Sequence, residues 1–231
     1  LAIQADGHEV TMLTSFAQLQ EDEIPPGRGR IRRGVIEGID CITIDAPYDQ
    51  QMSYARRIVS FLSFMLRAIW VVVRTKKPDL IFATSTPLTV AIPALAGRWL
   101  RGIRYAFEVR DLWPEVPRAL GAVNNREVFA MLKWLERRAY RNATFLVAVN
   151  DDVAEQMAKV APRHAGQILV VPNACDVELF RPDRDGQWFR KEHGFDDKIL
   201  CVHTGTIGRV NHADAVLDAA KTLADRPNAV F

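Results

Sequence analysis

Cysteine is scarce in this chain. There are three, Cys41, Cys175 and Cys201, an odd number, far apart and without a CxxC spacing. That pattern argues against a disulfide framework or a structural zinc site and predicts a reducing cytosol. The five histidines lack an HExxH or comparable ligand spacing, so no metal site is expected. Neither a GxGxxG fingerprint nor a P-loop occurs, which leaves a dinucleotide-dependent dehydrogenase without its most diagnostic turn. The Asn142-Ala143-Thr144 sequon reads as chance in a cytosolic chain. Acidic residues are missing from one long stretch. Residues 50–78 hold Arg56, Arg57, Arg67, Arg74, Lys76 and Lys77, and no Asp or Glu.

What is present is ordinary in bulk: 231 residues, 48% apolar, 25% charged, net charge +2. The length suits one large domain or one domain and part of another. A charge of that size does not point to nucleic acid. Its distribution is uneven, with further basic clusters at Arg28, Arg30, Arg32 and Arg33 and at Arg98, Arg101 and Arg104. A basic stripe confined to the first half suggests an anionic partner such as a phosphate, a nucleotide or a membrane surface. The opening "LAIQADGHEV" reads as the last turn of a helix running into a strand rather than as a secretory leader. The closing "NAVF" reads as part of a strand, and the chain is expected to be a fragment of a longer protein.

Short apolar runs alternate with longer amphipathic segments. "HEVTMLT" reads as a strand, 32–45 as a hairpin about Glu37-Gly38, and 52–77 as a long helix. "PDLIFAT", "IRYAFEV", "ATFLVAV" and "QILVVP" read as further strands, separated by helices over "PLTVAIPALAGRWLRG", "NREVFAMLKWLERRAY" and "DDVAEQMAKVA". Repeated strand–helix–strand predicts an α/β fold with a doubly wound parallel sheet. The rhythm breaks at 178–186, a Pro/Gly/charge linker, then restarts with a strand, a Gly turn and a helix. The expected division is therefore 1–182 as a first Rossmann-like domain and 183–231 as linker plus the first unit of a second. Ile58, Phe61, Leu62, Met65, Ile69, Val72 and Val73 are expected on the core face of the long helix. Arg57, Ser60, Phe64, Arg67, Val71 and Arg74 fall on the other side, which is either merely solvated or offered to anionic lipid. A membrane span needs about 20 mainly apolar residues. Arg67 interrupts this helix centrally, so a span is rejected.

In open α/β sheets ligands bind beyond the carboxyl ends of the strands. Three loops there are candidates. Thr84-Ser85-Thr86-Pro87 offers hydroxyls that either cap a helix or meet a ligand. "FEVRDLWPE" puts Glu108 and Arg110 on one side of a strand and Asp111 at its mouth. It is either a salt-bridged strand end plugged by Trp113 or a polar site, with the carboxylates held ionised by the guanidinium. Pro114 is expected to hold Trp113 extended and to start a short helix ending near Gly121. His203-Thr204-Gly205-Thr206-Ile207-Gly208 is either a tight turn or a phosphate-approaching loop.

"GHEVTMLT", "PDLIFATSTPL", "FEVRDLWPE", "VPNACDVELFRP" and "HTGTIG…N" occur in the order and spacing of bacterial nucleotide-sugar glycosyltransferases of family 4. The chain resembles most the O-antigen and capsule branch, including fucosamine-transferase-like members, over essentially its whole length. The resemblance implies a GT-B architecture: two Rossmann-like domains, acceptor on the first and nucleotide-sugar on the second. It also implies retention of configuration, no metal and no cofactor. Arg110-Asp111 fall where many members have His-Asp facing the sugar; Arg110 replaces that His and cannot be a general base. Asp111 is then expected to position the donor sugar, with Arg110 on a sugar hydroxyl or phosphate charge. Glu108, Thr84, Ser85, Thr86, Trp113, Glu115 and Asn173 are expected at the substrate, and Gly205, Thr206, Gly208 and Asn211 at the donor. Ala174 replaces the usual Gly beside Asn173. The family's glycine-rich loop would precede Leu1. Its first strand, which would lie between "HEVTMLT" and "PDLIFAT" in the sheet, is expected to precede Leu1 too, and its diphosphate and ribose ligands would follow Phe231.

The partners implied are a nucleotide-sugar donor, a glycan or lipid-linked acceptor and a peripheral contact with anionic membrane, with no nucleic acid. The place implied is the cytoplasm or the inner membrane face. A sugar-nucleotide 2-epimerase shares the architecture but fits "RDLWPE" and "PNACD" less well. A non-catalytic membrane-associated binding protein is the reading from another class.

Overall fold

The structure is a computed structural model that describes residues 2–48, 52–85, 87–205, 213–226 and 228–231. The chain divides into two compact units, residues 1–116 with 124–172, and 117–123 with 173–231.

The first unit opens with a helical turn, α1 (Ala2–Ala5), and strand β1 (Thr11–Ser15). A hairpin follows, β2 (Ile31–Ile36) and β3 (Ile39–Ile44), in antiparallel register. Its two turn residues, Glu37 and Gly38, both have positive φ (48° and 80°). A two-residue hairpin loop of this hand needs that conformation at both positions. β1 pairs with β3 in parallel, giving the order β1-β3-β2.

A second, wholly parallel sheet has the order β4-β5-β6-β7: β4 (Leu80–Ser85), β5 (Arg104–Val109), β6 (Phe145–Ala148) and β7 (Ile168–Val170). No hydrogen bonds join β1 to β4 among the described residues, so the two sheets are separate. Tyr105, Phe107 and Val109 of central β5 are fully buried, as its alternation requires. The carboxyl edge is level: Ser85 pairs with Val109, Val109 with Ala148, and Ala148 with Val170.

Long helix α2 (Tyr54–Arg74) packs on α3 (Ala91–Arg101) and on β3. Here the sequence expectation holds only in part: Met65, Ile69, Val72 and Val73 are half-buried, but the turns before them face the other way. Phe64 and Ala68 close a cluster with Ile44, Ala46, Leu13 and Ile31, and Ser60, Ala68 and Val71 are buried. Ile58, Phe61 and Leu62, expected in the core, are exposed. The side of α2 that faces the β1-β3-β2 sheet carries Phe64 and Ala68, with Ser60 and Val71 also buried. The Ser60 hydroxyl donates to the Pro47 carbonyl at 2.6 Å, a bond only a near approach permits. Arg101 of α3 donates to the carbonyls of Val72 and Thr75, both at 2.8 Å, and so satisfies the end of α2. Gly97 lets the two helices meet: a Cβ there would lie 2.9 Å from atoms of Ile81 and Val72. Pro93 sits in the first turn of α3, where its missing N–H costs nothing. Gly102, at φ 62°, ends that helix.

Short α4 (Glu115–Ala119) follows β5, and α5 (Arg126–Asn142) and α6 (Asp151–Val160) flank β6. Asn125 and Asn150 cap α5 and α6, accepting from Val128 at 3.1 Å and Val153 at 2.8 Å. In the second unit, α7 (Gln187–His193) forms where no helix was expected; its Trp188 and Phe189 sit among charged residues that hide an apolar period. Strand β8 (Ile199–Leu200) pairs in parallel with β9 (Ala229–Val230), and α8 (Ala213–Thr222) lies between them in the chain. The whole is an α/β fold of the Rossmann-like GT-B class.

Candidate active site at the carboxyl edge of the parallel sheet

The end of β5 assembles most of the predicted residues. Thr84 and Glu108 are register partners on neighbouring strands, both partly exposed. One residue further on, Ser85 is 2% exposed and its Oγ accepts from the Arg110 backbone N–H at 3.2 Å. That hydroxyl therefore fixes the path by which β5 leaves the sheet. It does not cap the helical turn at Leu88–Val90, which has no side-chain cap bond. Arg110 and Asp111 follow, both exposed. Thr86 lies outside the described residues.

The peptide bond Trp113–Pro114 is cis, so the chain turns there by a route the sequence expectation did not include. Pro114 is buried and Trp113 half-buried. Glu115 opens α4 and is bound to Lys133 of α5, Nζ to Oε1 at 2.5 Å. Lys133 also holds Glu136, again at 2.5 Å, and the Glu136 side chain is 2% exposed. No ion pair joins Glu108 to Arg110 among the described residues.

Burial pushes the Glu136 carboxyl above the usual range, against the pull of the Lys133 ammonium. Burial works to lower Lys133, but bonds and charge from Glu115 and Glu136 outweigh it, and its pKa is raised. Burial also raises the Tyr140 phenol, which Glu136 faces. Beside it, the Tyr105 hydroxyl donates to the Ala139 carbonyl at 2.5 Å, and its pKa too is raised by burial. β5, α5 and the loop after Asp111 are thus tied into one frame. Sequence reasoning missed Lys133, Glu136 and Tyr140. The signal was available: 132, 135, 136, 139 and 140 share one helical face, so Glu136 falls on an otherwise apolar stripe.

The second unit carries the other predicted residues. Asn173 and Gly205 are exposed there, and Gly205 has φ 155°, a conformation that favours glycine. Thr206, Gly208 and Asn211 lie outside the described residues. No group of three or more His, Cys, Asp or Glu able to hold a metal ion occurs among the described residues.

An exposed guanidinium and carboxylate at the mouth of a central parallel strand offer fixed donors and acceptors to a polyhydroxylated ligand. A permanently charged Arg binds hydroxyls or phosphate and abstracts no proton. The carboxyl edge of a parallel sheet, where these groups lie, is where open α/β folds bind their ligands. Residues 1–174 match the family described as Glycosyl transferase 4-like domain, and the chain belongs to that family. No curated protein matches the sequence. Among solved structures, sucrose-phosphate synthase from Thermosynechococcus elongatus is similar at 16% identity and TM-score 0.66, covering 99% of this chain and 52% of that one. Anabaena HepE in complex with UDP and glucose is similar at 14% identity and TM-score 0.58, covering 84% of this chain and 47% of that one. At these identities the likeness is one of fold. The chain spans about half the length of either protein.

Proposed function

We propose that the protein acts as a retaining, metal-independent glycosyltransferase. It moves a sugar from a nucleoside-diphosphate sugar to a polysaccharide or lipid-linked acceptor in the biosynthesis of cell-surface glycan of the O-antigen or capsule kind. Work is done at the cytoplasmic side of the membrane, in peripheral contact with it. The observation that carries the reading is the exposed Arg110-Asp111 pair beyond β5, beside Thr84 and Glu108, within the segment matched to the glycosyltransferase family. HepE, crystallised with UDP-glucose, supports a donor of that chemical class.

In this reading Asp111 accepts from hydroxyls of the donor sugar and sets its reacting carbon against the acceptor. Arg110 binds a sugar hydroxyl or the developing diphosphate charge. Trp113, Glu115 and Asn173 shape the substrate side; Gly205, Thr206, Gly208 and Asn211 approach the donor. The acceptor oxygen bonds to the anomeric carbon as the bond from that carbon to the diphosphate breaks, and the acceptor's proton passes to the departing nucleoside diphosphate. Residues 1–182 form the acceptor-side domain and 183–231 the start of the donor side.

The test is transfer by the full-length protein from a panel of labelled nucleotide-sugars to a lipid-linked acceptor. Label is expected in the acceptor, with the anomeric configuration of the donor kept. Conversion of the donor to its 2-epimer without acceptor would contradict the reading.

A further inference from the structure

The facing of α2 leaves an unusual surface. Val59, Leu62, Leu66 and Trp70 are spaced three and four residues apart and form one outward stripe, with Ile58 beside them. Val59 is 66% exposed, Leu66 63% and Trp70 53%. An outward helix face in water is normally polar, and this one is apolar over three turns.

The rim of the stripe is basic. Arg56 and Arg74 of α2 are exposed, as are Arg30 and Arg33 beside the hairpin. A groove of about 620 Å³ runs between the helix and the hairpin, lined by Arg30, Ile31, Arg33, Leu66, Arg67, Trp70 and Val71. Its lining includes three guanidinium groups and no carboxylate. Of the arginines expected to meet lipid, two are engaged elsewhere. Arg67 donates to the Asp45 carbonyl at 3.3 Å and to the Ser63 hydroxyl. Arg57 donates to the Met52 carbonyl at 3.1 Å and stands 5.8 Å from the Tyr48 ring centre. Phe64 is in the core cluster.

We infer that this face docks on the surface of an anionic phospholipid bilayer, with α2 lying in the interface plane. Val59, Leu62 and Leu66 enter the acyl boundary, Trp70 sits at headgroup level, and Arg30, Arg33, Arg56 and Arg74 meet the lipid phosphates. Aromatic rings with a polar tip and long basic side chains are the residues that settle at this boundary. Charge complementarity selects this occupant: a second copy of the chain would set Arg against Arg, whereas a phosphate surface neutralises all four. No helix among the described residues is long and apolar enough to cross a membrane, so the contact is peripheral. The inference deepens the membrane contact in the proposed function, but its test does not involve sugar transfer.

The test is flotation of the chain, and of the full-length protein, with vesicles of phosphatidylcholine alone or containing phosphatidylglycerol. Binding to the anionic vesicles is expected, weakening as salt rises. Leu66→Asp should abolish it. The double variant Arg30→Gln/Arg33→Gln should weaken it about tenfold or more, since each basic residue near such a surface contributes about 1 kcal/mol and 1.4 kcal/mol is a factor of ten. The conservative Arg33→Lys should retain most binding. Circular dichroism melts confirm that each variant is folded, and an unfolded Leu66→Asp is replaced by Leu66→Ser. Equal partitioning onto neutral and anionic vesicles would overturn the inference. So would binding that folded variants leave unchanged, or a dimer in solution that Leu66→Asp dissociates in place of any lipid binding. Loss of transfer with vesicle binding intact would count against the transferase reading alone.

Discussion

At the scale of single residues, Lys133 is the hinge of the site's frame. It is shared by an exposed carboxylate, Glu115, and a buried one, Glu136. Removing the cation leaves Glu136 buried without its partner, a loss that costs about 3 kcal/mol or more in comparable pairs. Removing the buried charge does not: Glu136→Gln keeps the Lys133–Glu115 bond and should change stability by no more than about 1 kcal/mol. The pH dependence separates the two further. A carboxyl whose folded pKa lies above its unfolded value binds more protons when folded, so stability falls as pH rises above the unfolded value, about 4.3 for Glu. Lys133→Met raises Glu136 further and should steepen that fall. Thermal unfolding at pH 5 and pH 7 is expected to show a larger loss between the two in Lys133→Met than in the wild type. A pH-independent Lys133→Met would show that Glu136 is not the group responsible.

At the scale of elements, β1 and β4 are hydrogen-bonded on one side only among the described residues, while β5 lies between two neighbours. Backbone groups on an open edge exchange with solvent more readily than those of a central strand. Hydrogen exchange should find Tyr105, Phe107 and Val109 of β5 among the slowest amides and part of β1 and β4 much faster. Equal protection of β4 and β5 would mean that the edge of β4 is covered. The strand and helix rhythm and the Glu37-Gly38 turn were legible in the sequence because each depends on local chemistry. The facing of α2 was not. Bulky apolar residues occur on both sides of that helix, so periodicity alone cannot say which side the sheet takes. The side taken carries the buried Ser60 and Ala68 together with Phe64, which a hydrophobic period does not single out. The Glu115–Lys133–Glu136 link was hidden for a related reason: it joins residues 18 apart in sequence, on elements whose meeting is set by tertiary packing.

At the scale of the whole molecule, the chain spans about half the length of the solved structures it resembles, and those share its fold at 14–16% identity. What distinguishes this chain within its family fold is therefore carried by particular residues. Arg110-Asp111 at the mouth of β5 is the arrangement on which the proposed activity depends. The most direct measurement compares Asp111→Asn with the wild type in the full-length protein, following sugar transfer and thermal unfolding together. Asp111 is exposed, and the melt checks that the variant remains folded. Transfer should fall by about 100-fold or more, the cost of misplacing reacting groups. Turnover close to wild type in a folded Asp111→Asn protein would contradict the assignment of the site.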